Sequence, residues 1–310
     1  MNKVQILPIL FLAFMFSGCT LQRTPFVVAS YNVRYDNPHD GNNIWPNRKE
    51  HVNALIQFHD FDIFGIQEGM FNQVNDIAAL QQYAWYGNGR DDGKQAGEHC
   101  AIFYKKERFE LLDSGDFWLS ETPDKPTIGW DSKVNKRICS WGRFRDLVNK
   151  NEFYFFSVHF DNLGAVARRE SAKLMVTKIE EIAADMPVIC VGDLNSTPET
   201  EQIATMETIL NDAYKITEIL PYGPERTSSG FQYDPDRERR MDSLLIARAR
   251  QSAKQFSGNP APARPGSRRI DYIFVSEQID VLNYGVITDF YGAYRFPSDH
   301  FPVVSKIVIE

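Results

Sequence analysis

The chain has 310 residues, 43% of them hydrophobic and 13% aromatic, and carries a formal net charge of -7 at pH 7. Such apolar content builds a large core and excludes collagen-like, coiled-coil and generally disordered classes, so one large domain is the economical expectation. The acidic balance argues against a general polyanion binder working by bulk attraction, though not against an enzyme of phosphates, because a bound cation supplies local positive charge.

At the N-terminus, Lys3 precedes an apolar run, Ile6 to Phe16, that is too short and proline-interrupted to span a bilayer; Ser17, Gly18 and Cys19 follow. This resembles a bacterial lipoprotein leader, with Phe16 departing from the usual small aliphatic residue. The expectation is a leader over residues 1–18, a lipid-bearing Cys19 as the only membrane contact, a tether over 19–25 and a domain over 26–310. The mature protein is then exported, to the periplasmic or outer-membrane face of the envelope, and is expected to be a monomer. An ordinary cleaved export signal is the plainer alternative. Cys100, Cys139 and Cys190 flank apolar strand-like runs without any CxxC or Cys/His spacing, which argues against zinc. They are expected to be buried small hydrophobes, with a Cys100–Cys139 disulfide as the lesser alternative.

In chain order, Phe26 to Asn32 reads as a first strand, with Arg34 two residues beyond its end. A turn-rich loop leads to a helix over Arg48–His59, and Phe61 to Glu68 is a second strand ending on an acid. Met70 to Tyr83 reads as a helix and Tyr86 to Gly97 as an exposed glycine-rich loop. Glu98–Tyr104 and Phe109–Leu112 follow as strands, then Phe117–Pro123 as a turn-ended segment. Arg137–Asp146 and Glu152–Phe160 form a strand pair, the second ending in Ser157-Val-His159-Phe-Asp161. Leu163 to Asp185 is a helix with Val166, Leu174, Met175, Ile179 and Ile182 on one face. Val188 to Val191 is a buried strand that Gly192 releases into a turn bearing Asp193 and Asn195. Thr197 then serves as N-cap and Pro198 as first residue of a helix running to Asn211.

Between Glu225 and Arg269 ten Lys and Arg face five Asp and Glu, with Met241–Phe256 as a short helix: either a solvated insertion or a cationic flap over an anionic substrate. Strands at Ile270–Val275 and Asp280–Val286 follow, and Ser298-Asp299-His300 precedes a last strand. Many strands with helices between only some of them predict an α/β fold of two packed sheets covered by helices.

Asn32, Glu68, His159, Asp193, Asn195, Asp271, Asp299 and His300 all lie on or beside strand ends. Each alone is an ordinary turn former or core polar group; eight together are not. Oxygen donors of this kind suit a hard cation such as Mg²⁺, with Mn²⁺ as an alternative, and the absence of clustered cysteines with only two histidines in the set argues against zinc. Phosphoester hydrolysis uses such a set, the cation neutralising the phosphate and a histidine moving a proton.

Tyr-Asn32-Val-Arg-Tyr, Gly-Ile-Gln-Glu68, Ser-Val-His159-Phe-Asp161, Gly-Asp193-Leu-Asn195, Ile-Asp271-Tyr-Ile and Ser-Asp299-His300-Phe-Pro, in that order, resemble the endonuclease/exonuclease/phosphatase superfamily typified by deoxyribonuclease I. Tyr31–Asn37 and Phe117–Pro123 are similar to a bacterial branch of unsettled substrate. The resemblance implies a four-layer α/β/β/α sandwich of two mostly antiparallel sheets. It implies metal binding by Glu68, with Asp299 and Asn32 nearby, and phosphate binding by Asn195, Arg137 and Asn32. Catalysis falls to Asp193, to His300 oriented by Asp271 as activator of water, and to His159 oriented by Glu98 at the phosphate or leaving oxygen, with the choice of which histidine is base and which is acid left open. Arg34 stands where apurinic-site endonucleases carry Asp, which argues against abasic-site repair. The implied substrate is a small phosphoester or a nucleic acid, and a degenerate, non-catalytic binding lipoprotein is the alternative from outside enzymology.

Overall fold

A computed structural model describes residues 23–231, 269–292 and 294–310. The expected leader, Cys19 and most of the tether lie outside the described residues, as do positions 232–268 of the basic segment with its expected helix.

Strands β1 (Phe26–Asn32), β2 (Ile63–Gln67), β3 (Tyr83–Tyr86), β4 (Ile102–Lys105), β11 (Ile279–Val286) and β12 (Val303–Ile309) form one sheet in the order β11-β12-β1-β2-β4-β3. The second sheet runs β5-β6-β7-β8-β10-β9, from β5 (Phe109–Trp118), β6 (Ile138–Asp146), β7 (Glu152–His159), β8 (Val188–Asp193), β10 (Asp271–Val275) and β9 (Asn211–Asp212). Among these strands β1/β2 and β7/β8 pair in parallel, each near a sheet centre, and the other strand pairs are antiparallel.

Strand alternation divides the apolar residues among three cores. Phe26, Val28, Ile63, Phe155, Ile189, Val191 and Ile273 point between the sheets. Ala29, Tyr31, Phe64 and Ile66 point outward under helices α1 (Trp45–Phe58) and α2 (Phe71–Ala78). Phe156, Val158, Val188 and Cys190 lie under α3 (Ala165–Ala183) and α4 (Glu201–Met206). The result is the α/β/β/α sandwich, two mixed six-stranded sheets between helical layers.

Parity also aims the chemistry. Asn32 shares a face with Phe26 and Val28, Asp193 with Ile189 and Val191, His159 with Phe153 and Phe155, and Asp271 with Ile273, so all four point into the inter-sheet space at one end. The sheets come close at Gly65, where an added Cβ would lie 2.5 Å from Ser157 Oγ and 2.6 Å from Val191 Cγ2. Gly65→Ala is therefore expected to destabilise the domain by about 1–3 kcal/mol through overpacking, read as a shift in denaturant midpoint. An unshifted midpoint would mean that the sheets can part at no cost.

Several elements differ from expectation. The segment after α2 turns at Leu80 and becomes edge strand β3, and Phe117-Trp118 ends a long β5 instead of a separate segment. The strand expected from Glu98 begins only at Ile102, because His99 bridges to Gly69 and Gly89. Helix α3 buries Ala167, Ser171, Ala172, Met175, Ile179 and Ala183, four of them small, while Val166 is exposed. The helix expected from Thr197 starts at Glu201 and ends at Met206, because Thr197 is taken up in a turn whose carbonyl accepts from both the backbone N–H and the hydroxyl of Thr200. Cys100, Cys139 and Cys190 are buried free thiols, which rules out the Cys100–Cys139 alternative. No helix among the described residues is long and apolar enough to cross a membrane.

Candidate active site

A cleft of about 550 Å³ opens at the end of the sandwich where β1, β2, β7 and β8 terminate; it is lined by Arg34, Tyr35, Glu68, Glu98, Asn135, Arg137, His159, Asn162, Asp193, Asn195, Asp299 and His300. Asn32 and Asp271 lie directly beneath this lining. All ten residues expected from the sequence therefore gather here.

Asn32 sits at the floor. Its Nδ2 donates to Glu68 Oε1 (3.1 Å) and Asp193 Oδ2 (3.0 Å), tying the two sheets' carboxylates together. Its Oδ1 accepts the Arg34 backbone N–H at 3.0 Å. Glu68 Oε2 accepts from the Tyr35 backbone N–H at 3.1 Å. By alternation alone Glu68 would follow Phe64 and Ile66 to the helix-covered face; its φ of +62° turns it into the cleft instead. Arg34 (φ +56°) and Asn195 (φ +46°) share that left-handed backbone. Non-glycine residues avoid it at a cost of about 1–3 kcal/mol each, so the surroundings of the cleft hold these three side chains against local preference.

Asp193 is the point of convergence. Besides Asn32, its Oδ2 faces His159 Nε2 at 3.5 Å and His300 Nε2 at 3.8 Å, and its Oδ1 accepts the Asn195 backbone N–H at 2.9 Å. Burial, with Asp271 nearby, pushes the Asp193 carboxyl up to about 7. His300 presents Nδ1 to both Asp271 oxygens, at 3.0 and 3.2 Å. Burial alone would lower its pKa, but Asp271, Asp193 and Asp299 outweigh burial and hold it well above the usual value.

His159 is the opposite case. Burial and the Arg137 guanidinium hold its pKa well below the ordinary histidine value. Arg137 Nη1 lies 3.1 Å from both ring nitrogens, its Nη2 donates to Asn162 Oδ1 at 3.0 Å, and its Nε is 3.4 Å from Asp161. Asn195 Nδ2 also approaches His159 Nε2, at 3.2 Å, while donating to the Phe160 carbonyl. Glu98, expected to orient His159, stands 3.8 Å from Nδ1, beyond hydrogen-bond reach, and pairs with Arg90 Nη1 at 2.5 Å. Burial raises the Glu98 carboxyl to about 7.

The donor chemistry fits a hard cation. Ligand atoms of Glu68, His159 and Asp193 lie within 4.8 Å of one another, and a second such group joins Asp193, Asp271 and His300. Asp299, expected beside Glu68, falls outside both groups. Its carboxyl is shifted upward by burial, and Arg34 Nη1 stands 3.8 Å from its Oδ2 and 4.0 Å from Glu68 Oε2. Asn32 presents its amide nitrogen to the carboxylates and so holds the cluster together from beneath.

Sequence reasoning did not single out Tyr35, Asn135, Asn162, Arg90 or Arg48. Asn162 was within reach, since it follows the polar end of β7. Arg48 was not. It is fully buried in α1, yet donates to the carbonyls of Val33 (2.5 Å), Arg34 (2.5 Å), Asn43 (2.9 Å) and Pro297 (3.0 Å), joining the loop after Asn32 to the one before Asp299.

The profile of the endonuclease/exonuclease/phosphatase family matches residues 29–300. The chain is similar to a crystal structure of a family protein from Bacteroides thetaiotaomicron, at 38% identity over 93% of this chain and 99% of that one, with a TM-score of 0.78. It is equally similar to a mannosyl-6-phosphatase of the same organism, at 38% identity over 92% and 100% of the two chains, with a TM-score of 0.77. Among curated proteins, an uncharacterised Acanthamoeba polyphaga mimivirus protein is 26% identical over 55% of this chain, and the match spans 65% of that relative's length. The span, the fold and the converging strand ends agree: this chain belongs to the endonuclease/exonuclease/phosphatase family.

Proposed function

We propose that the chain is a divalent-metal-dependent hydrolase of small phosphoesters, with a sugar phosphomonoester as the leading substrate. The carrying observation is the convergence of Asn32, His159 and His300 on one oxygen of Asp193, beside Glu68, in a cleft of small-molecule size. The 38% identity to a mannosyl-6-phosphatase over nearly all of both chains supports the choice of substrate class. A cation held by Glu68, with Asp299 at the rim, would neutralise the scissile phosphate.

The protein's own groups then divide the remaining work. Asp193, where Asn32 and both histidines converge beside Glu68, accepts the proton of the attacking water. His300, kept cationic by Asp271, aims its Nε2–H at the same point and steadies the negative phosphate. His159, kept neutral, shares the phosphate with Asn195. Arg137 positions His159 rather than reaching the phosphate itself, its guanidinium being engaged by three protein partners.

The test is phosphate release from mannose 6-phosphate, glucose 6-phosphate and p-nitrophenyl phosphate, set against bis-p-nitrophenyl phosphate, RNA and plasmid DNA, with Mg²⁺, with Mn²⁺ and with chelator. Chelator-sensitive release from the monoesters is the expected result. Turnover confined to nucleic acid would establish the nuclease alternative, and no turnover of any substrate would leave a binding lipoprotein.

Export and lipid anchoring belong to the same reading, supported by the leader pattern ahead of Cys19. Metabolic labelling with an alkynyl fatty acid should mark the full chain and not Cys19→Ser. An unlabelled wild-type chain would overturn the anchor.

A further inference from the structure

Among the described residues, Arg34 lines the cleft at its rim with a charge opposite to the acidic cluster, and the way it is held is unusual for a surface arginine. Its backbone takes the left-handed region, with the N–H on Asn32 and the carbonyl gripped by Arg48 and by Gln73 Nε2 at 2.8 Å. Two guanidinium nitrogens, Nε and Nη2, make a side-on pair with Asp40 at 2.9 and 3.0 Å. Asp40 is itself fixed by Asn37 Nδ2 at 2.8 Å, and the guanidinium carbon lies 4.6 Å from the centre of the Tyr35 ring. The remaining nitrogen, Nη1, faces the cleft at 3.8 Å from Asp299 and 4.0 Å from Glu68, close enough to feel both carboxylates and beyond hydrogen-bonding distance of either. All but one edge of the side chain is anchored, so little conformational entropy is lost when that edge meets a ligand.

We propose that Arg34 is a specificity-determining residue that selects the doubly charged end of a phosphomonoester over a phosphodiester. A monoester near neutral pH spreads two charges over three non-bridging oxygens; a diester spreads one over two. With the cation, Asn195 and the histidines engaging the inner oxygens, Nη1 of Arg34 is placed for the outer one through a charge-assisted hydrogen bond. In a diester that oxygen carries a second ester group. It offers Nη1 a weaker acceptor and buries the guanidinium edge against carbon, so the same residue favours one substrate and penalises the other.

This proposal rests on the phosphoester reading and is tested so that the two fail separately. Arg34→Ala, Arg34→Lys and Asp40→Asn full-chain proteins are assayed at saturating Mg²⁺ on p-nitrophenyl phosphate and bis-p-nitrophenyl phosphate. Inorganic phosphate, a dianion at about pH 8, is titrated calorimetrically into each Mg²⁺-loaded protein. In Arg34→Ala, the KM for the monoester and the dissociation constant of phosphate should both rise about tenfold or more, with kcat/KM for the diester falling by a factor about fivefold smaller. Arg34→Lys should recover part of the phosphate affinity, and Asp40→Asn should lose it in the same direction but less, since it loosens the anchor and keeps the charge. Equal losses on the two esters, or phosphate affinity within about threefold of wild type in Arg34→Ala, would overturn the assignment. If the wild-type protein hydrolyses neither these esters nor the sugar phosphates and nucleic acids above, the hydrolase reading fails, while the phosphate titration still decides whether Arg34 holds the dianion.

Discussion

Asp193→Asn is expected to leave a folded domain that has lost about 10²–10⁴ of its kcat. The change is isosteric and keeps the oxygen that accepts the Asn195 backbone N–H. What it removes is the acceptor at which Asn32 Nδ2 (3.0 Å), His159 Nε2 (3.5 Å) and His300 Nε2 (3.8 Å) meet. An amide nitrogen there would face donors, and the carboxylate placed to accept the proton would be gone. Thermal unfolding with and without Mg²⁺ separates this loss from misfolding. A variant with kcat within about threefold of wild type would remove Asp193 from the chemistry.

His300→Ala should cost a comparable factor, about 10² or more, and Asp271→Asn should expose the reason through pH. Asp271 is the largest influence raising the His300 pKa, so its replacement by Asn lowers that pKa. If His300 works as a cation, activity is lost as it deprotonates, and the alkaline limb of kcat moves to lower pH in Asp271→Asn. If His300 instead accepted the proton from water, the acid limb would move to lower pH and the alkaline limb would stay. Profiles of wild type and variant at saturating Mg²⁺ share the same cation; because Asp271 also raises Asp193, the acid limb carries both groups and the alkaline limb is the one that reports on His300. An unmoved alkaline limb would return the proton-accepting role to this histidine.

Much of the fold was legible because alternation and apolar runs are local. Val188 to Asp193 announces a buried strand, and its odd positions share the face of Asp193. The same parity explains why a set of polar residues at strand ends proved to be a single cluster: they finish the inward faces of strands that stack on one another. Glu68 was placed correctly at a strand end, but its direction depends on a left-handed residue that no local pattern announces. Helix boundaries were less legible where side chains compete for backbone groups, as Thr200 does with the turn at Thr197. The partnership expected between Glu98 and His159 gave way to Arg90, which the chain brings back through the loop before Glu98. Arg48 was invisible from sequence because its partners are carbonyls, and a carbonyl has no residue type. Its replacement by methionine should slacken both loops it joins.

The strand pairing around β1 has a consequence for how this protein comes into being. β1 lies between β2 and β12, and Asp299 and His300 sit just before β12. During synthesis the first strand waits for nearly the last residues of the domain, with one row of backbone hydrogen-bonding groups open until they arrive. A nascent chain can thus hold Asn32, Glu68 and Asp193 and still lack its imidazole at position 300 and the strand that closes β1. Hydrolytic competence and protection from edge-to-edge aggregation arrive together, in one late docking event. A chain truncated before Ser298 is therefore expected to lack both turnover and the strand that closes β1.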